Sequence, residues 1–157
     1  RGTPVPDYME GQDFLSPDHK PRSYVISARD RCDYTIEHIR AVVTPKYKYL
    51  RNYLTDRPFM QPSYKDPWPV SKEFRRLMAE GKMNKTQLIF FGDKKEPEEL
   101  YDIVEDPMET TNLIGTPALA EIESAMREKL LAFRRTTKDP WLEVDYQEGR
   151  LDEHLPV

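Results

Sequence analysis

The sequence predicts an α+β fold, a small four-stranded antiparallel sheet packed against one long C-terminal helix. Three observations predict this fold: short runs of β-branched and aromatic residues, connections too short for crossovers, and a late amphipathic stretch. The 157 residues are enough for one domain, and 33% charged against 38% hydrophobic residues indicate a modest core under a solvated surface.

The first half of the chain contains three predicted strands. Residues 1–21 hold four prolines and little periodicity, which indicates an extended lead-in. Residues 23–27, 39–43 and 46–53 have strand composition. The second and third strands should form a hairpin, because the turn between them is too short for a crossover.

The middle of the chain leads to a fourth strand. Residues 55–69 are rich in proline and aromatic residues, which indicates an ordered loop. Ser71 is predicted to cap a short helix over residues 72–80, and residues 84–91 favour a second short helix. Residues 99–103 form the predicted fourth strand.

A long helix is predicted over residues 117–136. Thr116 suits the N-cap position and Pro117 suits the first turn. Apolar residues recur at three- and four-residue spacing and form one stripe: Leu119, Ile122, Met126, Leu130 and Phe133.

The net charge of −4 names no partner, but its distribution is uneven. Residues 20–60 contain nine Lys and Arg against four Asp and Glu, whereas residues 139–157 contain one Arg against six Asp and Glu. The basic segment can pair with the acidic tail or face an anion. No apolar run is long enough to cross a membrane, and Cys32 is the one cysteine, which excludes an internal disulfide.

The sequence contains no recognisable catalytic or metal-binding constellation. Its histidines, His19, His38 and His154, are far apart and lack metal-ligand spacing. Cys32 has no neighbouring histidine in sequence, so a structural role is favoured over a nucleophilic one.

The main candidate site follows the first predicted strand. In an extended backbone Arg29, Arg31 and Asp33 project from one side, and two converging guanidinium groups suit a sulfate, phosphate or carboxylate. The alternative is a solvated turn in which Asp30 and Asp33 neutralise the arginines. From the residues alone, the solvated turn is favoured.

Basic and aromatic residues alternate over residues 46–53, a pattern that can bind single-stranded nucleic acid. The alternative, which we favour, is a hairpin with Tyr47, Tyr49 and Tyr53 packed under a helix. No complete nucleic-acid-binding motif accompanies the strand, so we expect no nucleic-acid partner.

Three blocks resemble the C-terminal part of type I sulfatases, the arylsulfatases and glycosaminoglycan sulfatases. Residues 5–15 are similar to the family's P-x-x-M-x-G-x-S/D-F/L stretch, and residues 39–52 to its I/M-R-x-V-x-T-x-x-Y-K-Y/L-I hairpin. Residues 99–113 are similar to E-L-Y-D-L-x-x-D-P-x-E-x-x-N-L. The blocks occur in the family's order, and residues 28–33 most resemble the bacterial heparan-N-sulfatase-like group.

The resemblance implies the C-terminal subdomain of the alkaline-phosphatase-like sulfatase fold, with a division into a lead-in (1–21), the subdomain (22–138) and an acidic tail (139–157). It implies that Arg29, Arg31 and Asp33 bind substrate, with His38 as a distant further candidate. The partners implied are the catalytic domain of a parent sulfatase and a sulfated small molecule or sugar.

The resemblance also implies that the parent enzyme uses calcium and a formylglycine. The family's C/S-x-P-x-R motif is absent, and Asp18-His19-Lys20 is not its Asp-His-Gly, so we expect this chain alone to be inactive. The start at Arg1 without Met indicates a fragment or processed product. The parent would be periplasmic or secreted if it carries a signal peptide. The alternative function is an independent binding module whose basic face takes an anionic partner.

Overall fold

The computed structural model describes residues 11–32 and 35–139, together with Pro6, Tyr8 and Met9. Asp33 and most of the predicted lead-in before residue 11 lie outside the described residues, as does the predicted acidic tail after Asp139. The elements in chain order are β1 (Val25–Cys32), β2 (Thr35–Val43), β3 (Tyr47–Asn52), α1 (Pro69–Ala79), α2 (Lys85–Phe91), β4 (Glu98–Asp102), a 3-10 turn (Pro117–Leu119) and α3 (Ala120–Thr136).

The four strands form one antiparallel sheet in the order β1-β2-β3-β4, which confirms the predicted fold class. The β2–β3 hairpin is also confirmed: Val42 pairs with Tyr49, and Tyr49 pairs in turn with Leu100 of β4. Thr44 closes the hairpin turn, because its hydroxyl accepts a hydrogen bond from Tyr47 N at 2.8 Å. Each strand is therefore next to its neighbour in sequence.

The core lies between one face of the sheet and α3. Side chains from three strands meet the predicted apolar stripe of the helix, and five fully buried residues form the centre: Val42, Tyr49, Leu100, Met126 and Leu130. Tyr47 packs against this cluster, and the Tyr53 ring lies under the guanidinium of Arg134 at the end of α3. Tyr47 and Tyr49 of β3 and Tyr53 just after it thus pack under a helix, as the favoured interpretation predicted.

The loop after β3, with α1 and α2, lies on the opposite face of the sheet from the α3 core. The phenyl rings of Phe74 in α1 and Phe91 in α2 are 4.9 Å apart between centroids, which joins the two short helices. A capping box starts α2: Asn84 Oδ1 accepts from Gln87 N, and Gln87 Oε1 accepts from Asn84 N, both at 2.9 Å.

Two predicted caps were wrong. The first short helix begins at Pro69, two residues before Ser71, with Trp68 at its N-cap and no side-chain capping bond. Ser71 is therefore buried inside the helix. Thr116 occupies the N-cap of the 3-10 turn that precedes α3, but its side chain makes no capping bond.

The two edges of the sheet differ. The β4 edge is covered by the following segment, because Asn112 Oδ1 accepts from Leu100 N at 3.0 Å and Leu113 N donates to Leu100 O at 2.8 Å. The β1 edge has no further strand beside it among the described residues. Residues 98–113, which carry much of the resemblance, therefore serve to complete the sheet.

Candidate functional site

Arg29 and Arg31 lie within the edge strand β1, and both are exposed. The prediction that they follow the first strand was wrong, since pairing with β2 continues to Cys32 opposite Thr35. Nothing about the side chains of Cys32 or Asp33 is described, so the role of Asp33 stays a prediction.

A β-bulge interrupts the ladder between the two arginines. Arg29 pairs with Ile39 and Arg31 pairs with Ile36, so β2 contributes one residue more than β1 over this stretch. The extra residue lies in β2, so the bulge bends β2 and does not fix where the side chains of Arg29 and Arg31 point. The convergence of Arg29 and Arg31 on one ligand thus stays a prediction.

Arg29 lines a pocket of about 280 Å³ between β1, β2 and the loop after β3. Its remaining lining consists of polar side chains and aromatic rings, together with one methionine: Thr35, Phe59, Met60, Gln61, Ser63, Tyr64, Lys65 and Phe90. These lining residues include two cations and no carboxylate. The sequence identified the loop as ordered but did not identify its residues as site residues; aromatics in a proline-rich loop were the available signal.

Hydrogen bonds fix the loop wall of this pocket to the sheet and to α2. Thr35 Oγ1 donates to Pro62 O at 3.2 Å, and Gln61 Nε2 donates to Ile36 O at 3.1 Å. Met60 N donates to Phe90 O at 3.0 Å. The wall is therefore held in place before any ligand arrives.

A buried ion pair supports the same wall. Lys95 Nζ pairs with Glu37 Oε1, and neither side chain is exposed to solvent. Gln61 Nε2 donates to the same Glu37 oxygen at 2.5 Å, and Lys95 Nζ lies 5.3 Å from the centroid of the Phe59 ring. Burial lowers the pKa of Lys95 and the charge of Arg29 acts in the same direction, whereas Glu37 opposes both.

His38 does not line this pocket. Its ring packs against Tyr53 at 4.4 Å between centroids and is 1% exposed. Burial, with the charges of Arg40 and Arg134, lowers the pKa of His38 from 6.5 to about 3. The imidazole is therefore neutral at ordinary pH, in a structural setting.

An ion-pair network lies beside His38, and the sequence did not predict its individual contacts. Arg40 Nε and Arg134 Nε both donate to Asp139 Oδ2, at 3.0 and 2.9 Å, and Arg40 Nη1 donates to Asp30 Oδ1 at 2.6 Å. The side chains of Arg40, Arg134 and Asp139 are almost fully buried. The early basic segment and residues 139–157 carry opposite charges, and Arg40 and Asp139 form one ion pair between them.

The residues present do not fit the cofactors that the resemblance implies. The described part of the chain contains no group of three or more His, Cys, Asp or Glu placed to hold a metal ion. The sequence offers no C/S-x-P-x-R motif for a formylglycine.

No helix among the described residues is long and apolar enough to span a bilayer.

Comparison with known proteins gives one curated relative and several solved structures. No protein-family model matches the chain. The ulvan-active sulfatase of Formosa agariphila is 38% identical over 149 residues, which cover 94% of this chain and 24% of the relative. The chain therefore spans about a quarter of the length of the curated relative it matches.

Two solved structures share the fold. A 2-O GAG sulfatase matches with a TM-score of 0.56, and a candidate sulfatase from Bacteroides thetaiotaomicron matches with a TM-score of 0.55. Each is 21% identical, and each match covers 92% of this chain and 24% of the other. In sequence and in fold, this chain is similar to the C-terminal region of sulfatases, and the neighbours in fold have the alkaline-phosphatase-like fold.

Proposed function

We propose that this chain is the non-catalytic C-terminal subdomain of a sulfatase that hydrolyses sulfate esters or sulfamates. It contributes to substrate recognition and packs on a catalytic domain. The observation that carries the recognition role is the pocket beside β1, where Arg29 joins Lys65 and aromatic rings, and where no carboxylate lies among the described lining residues. Arg31 and Asp33 complete the proposed substrate-binding set.

The proposed division of labour follows from the extent of the match. The chain covers 24% of its curated relative, which leaves room elsewhere for a domain that provides the formylglycine and the calcium ligands. In this division of labour the subdomain contributes by binding, and the missing domain contributes the cleavage.

Packing on the catalytic domain accounts for an exposed apolar surface. Three consecutive residues of α2, Leu88, Ile89 and Phe90, are 46%, 38% and 52% exposed, and Trp68 and Val70 at the start of α1 are more than half exposed. Apolar side chains at this density on short helices are typical of a protein–protein contact. Phe90 also lines the pocket, so the pocket adjoins this surface, and ligand sites are common at domain interfaces.

The test compares this chain with the longer polypeptide encoded by its reading frame, using a chromogenic aryl sulfate and a sulfated oligosaccharide. The longer polypeptide should hydrolyse sulfate from at least one of them, whereas the isolated chain should hydrolyse neither. Sulfatase activity of the isolated chain would disprove the non-catalytic role. A reading frame that lacks the C/S-x-P-x-R and Asp-His-Gly motifs, with tight salt-sensitive binding of the chain to nucleic acid or protein, would favour an independent binding module.

A further inference from the structure

We propose that the pocket beside β1 binds a sugar ring carrying an anionic group that is not the group hydrolysed, with Lys65 and Tyr64 as specificity-determining residues. This inference rests on the proposed function and extends it to residues outside the Arg29–Asp33 segment. Arg29 and Lys65 bind the anion, and the rings of Tyr64 and Phe59 bind the sugar face.

The size of the pocket limits the ligand to about one ring. Its volume of about 280 Å³ is just below the range of roughly 300–1,000 Å³ found for drug-sized ligands. Ser63 has a hydroxyl group on the wall, and the side-chain oxygens of Thr35 and Gln61 can accept from sugar hydroxyl groups while their donors hold the wall. The pocket therefore holds one unit of a longer saccharide and leaves its neighbours outside.

The aromatic wall has a fixed orientation. Tyr64 is 54% exposed, and its ring meets Trp68 edge-on, with an interplanar angle of 88° and 6.3 Å between centroids. The Phe59 ring stacks against Phe90 at 5.7 Å. A rigid ring offers contact area at a low entropic cost, which suits the apolar face of a sugar.

The charges of the pocket select an anion. Lys65 is exposed, and its Nζ lies 5.6 Å from the centroid of the Tyr64 ring, so the cation and the aromatic face are adjacent. The nearest carboxylate in sequence, Asp66, is engaged by Arg75 at 3.1 Å. Arg29 adds a planar fork of donors that matches sulfate or carboxylate oxygens.

We expect the bound anion to stay intact, because the described lining provides no group for cleaving it. Within the described part of the chain, the lining residues include no histidine, cysteine or carboxylate that would act as base or nucleophile. No metal-ligand cluster occurs among the described residues. The ligand must therefore carry at least one anionic group besides the sulfate that a catalytic domain removes.

The experiment is an NMR titration of the isotope-labelled chain with three probes: a disaccharide sulfated on both rings, the same disaccharide without sulfate, and inorganic sulfate. The sulfated disaccharide should shift the amide signals of Arg29 and of residues 61–65, and should remain unhydrolysed. It should bind about tenfold more tightly than either other probe, since one charge-assisted contact is worth about a tenfold change in affinity.

Two variants and one control locate the binding. Lys65→Gln and Tyr64→Leu should each raise the Kd for the sulfated disaccharide by about three- to tenfold. Lys72→Gln removes the same charge from an exposed position on α1 that does not line the pocket, and should leave the Kd unchanged within about twofold. Dispersed amide spectra confirm that each variant is folded.

Equal effects of Lys65→Gln and Lys72→Gln, shifts confined to other parts of the chain, or no binding at all would overturn the proposed pocket. Equal affinity for inorganic sulfate and the sulfated disaccharide would overturn the role of the aromatic wall. None of these results affects the comparison of activity between the chain and the longer polypeptide, so failure of this inference is distinguishable from failure of the proposed function.

Discussion

The buried Glu37–Lys95 pair shows how single residues hold the candidate pocket in shape. Both side chains are fully shielded from water, and Gln61 on the pocket wall donates to Glu37. A pair in this setting adds little net stability over an apolar pair, but breaking it leaves one buried charge uncompensated. The pair therefore acts mainly by fixing the loop relative to β2.

Lys95→Met should lower the free energy of unfolding by about 3–5 kcal/mol, because Glu37 then remains buried without its counter-ion. Urea unfolding measures this loss. Lys94→Met at the exposed neighbouring position should change stability by about 0.5 kcal/mol or less. The double variant Glu37→Met with Lys95→Met should recover most of the loss, and a double variant as unstable as Lys95→Met would show that the two charges are not coupled.

His38 predicts a pH dependence of stability. Its pKa is about 3 in the folded chain and 6.5 as the ordinary value, so the unfolded chain takes up a proton first as the pH falls. Stability from the neutral ring is fully present above about pH 6.5 and is lost towards pH 3, at about 1.4 kcal/mol per pH unit. Glu99, whose pKa burial raises, works in the opposite direction, so wild type and variant must be compared.

His38→Asn should be less stable than wild type at pH 7.5, but its free energy of unfolding should fall less steeply between pH 6 and pH 4. Denaturant unfolding across that range measures both slopes. The two slopes should differ by about 1.4 kcal/mol per pH unit, which corresponds to the uptake of one proton. Parallel curves for the two proteins would show that His38 does not resist protonation in the fold.

At the scale of elements, α3 is joined to the sheet by packing and by charge. The apolar stripe of α3 covers the core, and Asp139 just beyond the helix pairs with Arg40 of β2 and with Arg134. Burial opposes the charged form of Arg40, but hydrogen bonds to Asp139 and Asp30 outweigh it and raise the pKa of Arg40. The network therefore fixes the end of α3 against the hairpin.

Asp139→Ala should lower the free energy of unfolding by about 3 kcal/mol, because two nearly buried guanidinium groups lose a shared carboxylate. Amide hydrogen exchange should increase in the last turn of α3 more than in the β2–β3 hairpin. Asp93→Ala, at an exposed position in the loop before β4, is the control and should leave exchange in α3 unchanged. Uniform acceleration across all elements would contradict a local role for the network.

The elements were predictable to the extent that local patterns determine them. The stripe over residues 117–136 and the short connection at Thr44 required only neighbouring residues. The hairpin formed as predicted, and the helix ends as predicted but starts with a 3-10 turn before α3. The length of β1 was not predictable in this way. Residues 29–32 are strongly charged, and only their pairing with β2 through a bulge keeps them in the strand.

The candidate site was predictable only in part for the same reason. Arg29 stood out because of its charged neighbours, whereas Gln61 and Lys65 reach the pocket through a loop whose path depends on hydrogen bonds to β2 and α2. Arg40, one partner of Asp139, likewise lies 99 residues away from it in sequence. Contacts over such separations leave no periodic signal in a single sequence.

At the scale of the whole molecule, we propose a recognition surface attached to a catalytic domain located elsewhere. The fold and sequence correspond to a C-terminal subdomain that spans 24% of its curated relative. The cationic pocket and the apolar surface of α2 adjoin at Phe90. A substrate bound at their junction would touch both parts of the proposed enzyme.

The most direct measurement is steady-state kinetics of the longer polypeptide with the double substitution Arg29→Gln and Arg31→Gln, on a sulfated oligosaccharide and on a small aryl sulfate. We predict that KM for the oligosaccharide rises about tenfold or more, because charge-assisted contacts are lost. We predict no change in kcat/KM for the aryl sulfate, which is too small to reach the subdomain. An equal loss on both substrates, or no change on either, would contradict a role of this subdomain in substrate recognition.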